Sequence, residues 1–491
     1  MNPKVPHIPL LGFAPDADPT TPGVIVDCER MIPTRRGMEV APDPRTNPYG
    51  VYTGYVNDTI RGAASLPYEP SYAYTLIGQE TKIWYNNQQG GTWANVSRAG
   101  AYSTTVADGG WVFEKFGTLL LGAISSAVPL QYALPGNNFA DVTNGPKAWT
   151  ITQAERFVLA FNGKLNGSAS VVDDAWGCSA RDDAQDWTAA AATQCTYGRI
   201  VDAPGAILAA KPLGNDVIAY KARSMHIGRY TRDAEVWSWT KLPYSVGCIG
   251  KHSVVDVGGV HFFLGLDNLY RFDGARLDGL MDGKIRSWYL AKQGSSNVLN
   301  YTYTQVVYDA VREMIWVAFA EILAGDRVLL AYHIPTGNWG KHTNNSFLWL
   351  VAMPAVPLTY NYEGRLPMSL GCFKSDGKLY RVDQAYSGAS STAGQNPVPT
   401  LTTFDFGSDW RDTELRAVRP RLLSSTGTVT GTAYHRAALD ASLTTGPSGA
   451  RTADGKFELR QNDRWHRLKI DFAGYNEIAG LTMDFDERGA R

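Results

Sequence analysis

The sequence predicts an all-β fold: a β-propeller of about six to seven blades with an irregular N-terminal arm and a C-terminal β module. Three observations carry this. Short runs of Val, Ile, Tyr, Phe and Trp alternate with clusters of turn residues along most of the 491-residue chain. Convincing helical periodicity is nearly absent. A strand–turn–aromatic unit also recurs at intervals close to those of a four-stranded propeller blade.

The arm comes first, over residues 1–69. Its first fifty residues are rich in proline and end in APDPRTNPYG. Proline removes backbone donors and pushes its neighbours towards extended conformations, so the arm is expected to lie over the surface of something larger. Only Gly23 to Cys28 reads as a strand there.

The propeller is expected over residues 70–385. TKIWY, HFFLG, LYRF and LLAYHI are strand runs followed by turn residues, and MIWVAFA is a further strand run. The recurring unit is an apolar strand, a polar turn and a large apolar residue where the chain re-enters the core. It ends successively at Trp93, Phe139, Trp187, Trp237, Leu277 and Trp339, with spacings of 46, 48, 50, 40 and 62 residues. A truncated copy, KLYRVDQ, follows Lys378. That copy lacks its last strand, which leaves the blade count open unless a strand from elsewhere completes it. The long interval contains Met281 to Lys292, where Ile285, Trp288 and Tyr289 fall on one helical stripe. Any all-β chain repeats strand–turn units every eight to twelve residues, so a sandwich or a pair of barrels is the competing arrangement.

SGASSTAGQNP, within residues 386–400, is linker-like. Beyond it, residues 401–491 read as a separate set of strands, a small β-sandwich or the completion of a blade. Arg464, His466 and Lys469 alternate with Trp465, Leu468 and Ile470, which predicts one wet and one dry face. Thirteen basic and thirteen acidic residues balance this module.

Composition narrows the function. Apolar residues make up 44% and charged residues 19%, ample for a large core. The formal net charge is −1, which gives no electrostatic footprint for tight nucleic-acid or membrane-surface binding. The first residues lack the apolar stretch of a secretory signal, and no eighteen apolar residues run uninterrupted, so neither export nor membrane insertion is expected. The five cysteines Cys28, Cys178, Cys195, Cys248 and Cys372 are scattered without a CxxC, as suits free thiols in a reducing compartment.

Signatures of catalysis are scarce. There is no GxSxG elbow, P-loop, HExxH or helix-opening GxGxxG. The eight histidines, His7, His226, His252, His261, His333, His342, His435 and His466, show no helical pair for zinc. Asp173–Asp174 and Asp182–Asp183 are adjacent carboxylates; in a strand they face opposite ways, and turn capping suits them better than shared acid–base work. Arg411, Arg416, Arg419 and Arg421 could track phosphate, but Asp409, Asp412 and Glu414 intervene, as on a solvated face. No catalytic, cofactor-binding or metal-binding residue is therefore assigned, and no enzyme is expected.

Two resemblances bear on function. NNQQGGTW resembles the Asp-box of sialidase-type propellers, with Asn86, Gln88, Gly90 and Trp93 in its four places and both Ser and Asp replaced. It implies a structural turn; a sialidase would further need three substrate-binding arginines and a Tyr–Glu pair. A glycan-active propeller, hydrolase or lectin, is thus the alternative expectation.

The broader resemblance rests on PTTPGVIVDCERMIPTRRGMEVAP, WGCSARDDAQDWTAAAATQCTYGRIVDAPGAI, GKHSVVDVGGVHFFLGLDNLYRFDG, YDAVREMIWVAFA, AYHIPTGNW and DRWHRLKIDFAGYNEIAGLTMDF, about half the chain. In these the chain resembles the tail hub or nozzle proteins of short-tailed bacteriophages. The resemblance implies propeller subunits assembled as a homohexamer below the portal and its adaptor, the head-to-tail connector. Such a ring extends the DNA channel, carries tail fibres or tailspikes, and serves genome retention and ejection. It would be built in the host cytoplasm and reside in the virion tail. By position alone, the first residues and the C-terminal module are candidates for contacts between subunits or with the adaptor.

Overall fold

The computed structural model describes residues 7–46, 59–67, 73–86, 93–125, 127–293, 304–320, 327–344, 346–354, 368–374, 378–386 and 397–487. Seven four-stranded antiparallel units recur along it. Six are built from consecutive strands, within residues 60–95, 112–141, 147–199, 209–241, 254–279 and 305–343. The seventh takes three strands from residues 347–384 and its fourth, Asp43–Thr46, from near the start of the chain.

The innermost strands close a ring. Ile60–Pro67, Val112–Phe116, Lys147–Ala154, Ala209–Leu213, Val254–Asp256, Gln305–Asp309 and Phe347–Pro354 each pack against the next, and the last packs against the first. The fold is a seven-bladed β-propeller.

Strand periodicity explains why these sequences stack as blades. Successive side chains on a strand point to opposite faces, so each blade offers two apolar faces. In Asp216–Tyr220, Val217 and Ala219 pack towards the third blade while Ile218 and Tyr220 pack towards the fifth. In Phe157–Lys164, Phe157, Leu159 and Phe161 face the fourth blade, and Val158 and Ala160 face the second. Burying each larger aliphatic or aromatic side chain contributes about 1.5–3 kcal/mol, and neither face could be covered within a single sheet. Tight turns join neighbouring strands. Gly117 and Gly214 open two-residue hairpin turns with φ of 56° and 63°, a conformation that glycine adopts without strain.

The repeating aromatic residues stand at the entry to the fourth strand or on it, except Trp187, which lies in the loop that leads to Tyr197–Arg199. Phe139, Trp187, Trp237 and Trp339 are buried, and each joins a core between units. The expected helix is shorter than its sequence signal, Arg286–Gln293 instead of Met281–Lys292. Gly283 has a φ of 68°, and Met281 to Ile285 form turns. Asp16 then accepts hydrogen bonds from the first backbone N–H groups, with Trp288 N at 3.1 Å. The stripe itself packs as expected, with Ile285 and Tyr289 buried and Trp288 against the same core.

The arm departs from the reading of one strand lying on a surface. It contributes His7–Pro9, Ile25–Glu29, Met31–Pro33, Met38–Val40 and Asp43–Thr46 to sheets, and the first blade already begins at Ile60. Ile25–Glu29 pairs with Thr400–Thr403 in a sheet that continues through Trp465–Phe472, Val429–Arg436 and Thr444–Ala450. Opposite lies a second sheet of Met38–Val40, Asn476–Glu487, Thr413–Ser425 and Phe457–Asp463. Leu401, Leu468 and Ile470 from one sheet and Leu415, Leu459 and Leu481 from the other are fully buried in one core, as in a sandwich.

The sandwich is not a separate body. Met31–Pro33 pairs with both Asn338–Thr343 of blade six and Met38–Val40, so one ten-stranded sheet runs from the innermost strand of blade six into the sandwich. The sandwich core also merges with the packing between blades five and six, through Leu264, Tyr289, Ile315 and Trp339. Residues 387–396, most of the expected linker, lie outside the described residues.

Candidate functional site

Propellers place ligands and catalytic groups on their axis, so the axis is where chemistry is sought. Just ahead of or within the innermost strands, Gly109 and Gly110 of blade two, Trp149 of blade three, Leu208 ahead of blade four, and Ile249 to His252 ahead of blade five surround a cavity of about 190 Å³. Trp349 of blade seven adds its ring edge-on to His252, with centroids 4.9 Å apart. Side chains from so many blades meet only at the axis.

Lys251 crosses it. Its Nζ donates to the carbonyl oxygens of Asp108 at 3.1 Å, Gly110 at 2.9 Å and Ile124 at 2.6 Å, all on the blade-two side. The ammonium also sits 3.8 Å from the centre of the Trp149 ring. Burial pushes this ammonium well below the ordinary lysine range, with nearby Asp108 opposing. Three carbonyls accepting from three N–H groups also favour the charged form. An amine whose donors are all engaged is a staple between blades and a poor nucleophile.

The glycines make room for it. A β-carbon on Gly110 would stand 2.4 Å from the Arg61 carbonyl oxygen and 2.6 Å from His252 Nε2. On Gly109 it would stand 2.8 Å from Lys251 Cε. His252 is held neutral, its pKa pushed down to about 3, first by burial and then by the charges of Lys251 and Lys211. The cavity lining carries no carboxylate, and among the described residues no group of three His, Cys, Asp or Glu side chains is placed to hold a metal ion.

The other residues singled out in the sequence are not brought together. His261 bridges Tyr220 at 2.7 Å and the Pro212 carbonyl at 2.8 Å. His226 lies 2.8 Å from Asp202, His333 bonds Thr336, and His435 bonds Asp463 at 2.7 Å. His342 stands 3.8 Å from Glu29, and His7 lies on the strand paired with Asn476–Glu487. His466 corrects the expected wet face: it is fully buried, bonded to Thr413 and Gln461 at 2.8 Å each, and its pKa is pushed down to about 4 chiefly by burial.

Of the carboxylate pairs, Asp174 is bound by Arg199 at 2.7 Å and Asp182 by Arg156, while Asp183 accepts from the Gln185 backbone at 2.8 Å, a turn cap. Arg411 and Arg416 pair with Glu487 and Asp486 respectively. All five cysteines are buried, and none of them forms a disulfide. In the Asp-box-like turn, Asn86 and Trp93 are described, and residues 87–92, with Gln88 and Gly90, lie outside the described residues. No described helix is long and apolar enough to cross a membrane.

Sequence reasoning did not single out Lys251. Its one local signal is a cation between Gly250 and an inner strand.

No family model matches the chain, and no curated protein matches it. Among solved structures it is similar to a quinonprotein alcohol dehydrogenase-like protein from Bacteroides thetaiotaomicron. That match has 11% identity and a TM-score of 0.36, covering 59% of this chain and 67% of the other. It is also similar to PorZ, a bacterial surface component of the type-IX secretion system of Porphyromonas gingivalis. There the identity is 10% and the TM-score 0.36, covering 71% of this chain and 42% of the other. Likeness at this level leaves the fold to rest on the strand pairings themselves, which make the chain a seven-bladed propeller built together with a β-sandwich.

Proposed function

We propose that this chain is a structural virion protein, the nozzle or hub at the distal end of a short phage tail. It would assemble as a homohexamer in the host cytoplasm, dock on the portal adaptor, carry fibres or spikes, and pass genomic DNA without gripping it. The observation that carries this reading beyond the sequence resemblance is the single-body construction. One sheet and one core join propeller and sandwich, so force applied to either is borne by continuous strand pairing and shared packing and not by a linker. The axis supports the same reading, since Lys251 spends its donors on backbone carbonyls that tie blades together. A sialidase-like hydrolase would need carboxylate, arginine and tyrosine side chains at a site of this kind, and the axial lining contains none of the three.

The test is localisation. Gold-conjugated antibody against the chain, applied to purified tailed particles and viewed by electron microscopy, is expected to mark the free end of the tail. Mass spectrometry of those particles should find the chain at six copies per virion. Particles lacking it, or label on the capsid shell, would end the proposal.

A further inference from the structure

Blade three carries a feature that a wall subunit does not use. Strands Lys147–Ala154 and Phe157–Lys164 pair so that Lys147 stands directly opposite Lys164. Directly opposed residues of antiparallel strands share a face with β-carbons about 5 Å apart, and like charges there repel. Neither ammonium group has an ion pair or hydrogen bond among the described residues. Two acids of blades two and three are engaged elsewhere, Asp141 with Arg98 and Asp174 with Arg199. Both lysines line an open cleft of about 710 Å³, together with Asn144, Asn166, Ser168 and Thr188.

Two uncompensated ammonium groups on one face are stable company for an anion. The amides of Asn144 and Asn166 and the hydroxyl of Thr188 can both donate and accept, and Ser168, whose hydroxyl donates to the Ser170 carbonyl at 2.8 Å, can still accept, which is what neighbouring hydroxyls on a ligand require. A nucleic-acid track would need a line of cations along the backbone, whereas this cleft offers one pair in a chain of net charge −1. We propose that the cleft binds one oxyanionic group, a carboxylate or a phosphate, carried by a hydroxyl-rich ligand such as an acidic sugar. Lys147 and Lys164 clamp the anion, and Asn144, Asn166, Ser168 and Thr188 take the hydroxyls.

Isothermal titration of the full chain tests this with glucuronate, glucose 6-phosphate, glucose and a short DNA duplex as probes. At least one of the two anionic sugars is expected to bind, and the response of each separates carboxylate from phosphate; glucose should not bind. K147Q and K164Q should each weaken that binding about tenfold, the loss of one charge-assisted hydrogen bond. The ligand-free double variant should melt above the native protein, because the repulsion is gone. Failure of both anionic sugars to bind, equal affinity for glucose, or affinity unchanged in both variants would overturn the assignment. So would lysine-dependent binding of the DNA duplex without binding of the sugars.

Discussion

Replacing Lys251 by methionine removes the charge at the axis while keeping most of the side chain's length. The carbonyls of Asp108, Gly110 and Ile124 then lose the donor that now holds them at 2.6–3.1 Å. An orphaned buried acceptor costs about 1–3 kcal/mol, and the contact with the Trp149 ring is worth up to about 2 kcal/mol when desolvated. Two effects offset this loss. Burying an ammonium itself costs several kcal/mol, and the cavity of about 190 Å³ has room for water to reach the carbonyls. A net loss of about 3 kcal/mol follows. At about 2.1 cal/mol/K per residue, unfolding all 491 residues as a unit has an entropy near 1 kcal/mol/K, so the melting temperature should fall by about 3 °C. Differential scanning calorimetry of both proteins at one concentration and pH reads this directly. A variant melting at or above the native temperature would refute the account of Lys251 as a staple.

Acid should weaken the fold through its buried neutral histidines. His252 and His466 titrate near 3 and 4 in the folded chain against 6.5 when free, so the unfolded state binds more protons between those values. Stability is then full above about pH 6.5 and lost as the pH falls towards 4, by about 1.4 kcal/mol per pH unit for each histidine. Urea titrations from pH 7 to 4 measure the slope, and H466N should flatten it. D405N strips the fully buried carboxylate that Arg436 and Arg467 share, the latter at 2.7 Å, and should cost about 3 kcal/mol in urea unfolding. Deleting residues 1–46 removes the closing strand of blade seven and four strands of the sandwich assembly; size-exclusion chromatography should show aggregate, and a folded monodisperse product would contradict the closure described here.

The blade repeat was legible because it depends on local pattern. A large apolar residue at the fourth strand of a blade recurs in sequence as it does in space, as Phe139, Trp237 and Trp339 show. The seventh blade was harder. Its closing strand is Asp43–Pro44–Arg45–Thr46, more than three hundred residues before its partner, and a proline there reads as loop. On the outer edge of a blade one side of the strand makes no ladder, so the missing N–H costs little. Lys251 was invisible for a different reason. Its partners are backbone carbonyls, which every residue possesses and no motif records. The misreading of His466 came from treating polarity as exposure. Thr413 and Gln461 arrive from other strands to satisfy both ring nitrogens, and a buried polar group with its bonds made is stable.

The closed axis also constrains how the proposed nozzle could conduct DNA. A cavity of about 190 Å³ holds roughly six waters at about 30 Å³ each, and Lys251 ties opposite sides of the ring across it. No duplex passes through a propeller so fastened. In a hexamer the conduit must therefore run between subunits, walled by the outer surfaces of blades or sandwiches, while each propeller acts as a solid block. A chain of net charge −1 gives such a conduit no strong general attraction for phosphate, which would hold DNA back. On this reasoning, K251M should lower thermal stability without altering the rate at which assembled particles release DNA, because the residue it changes never faces the genome.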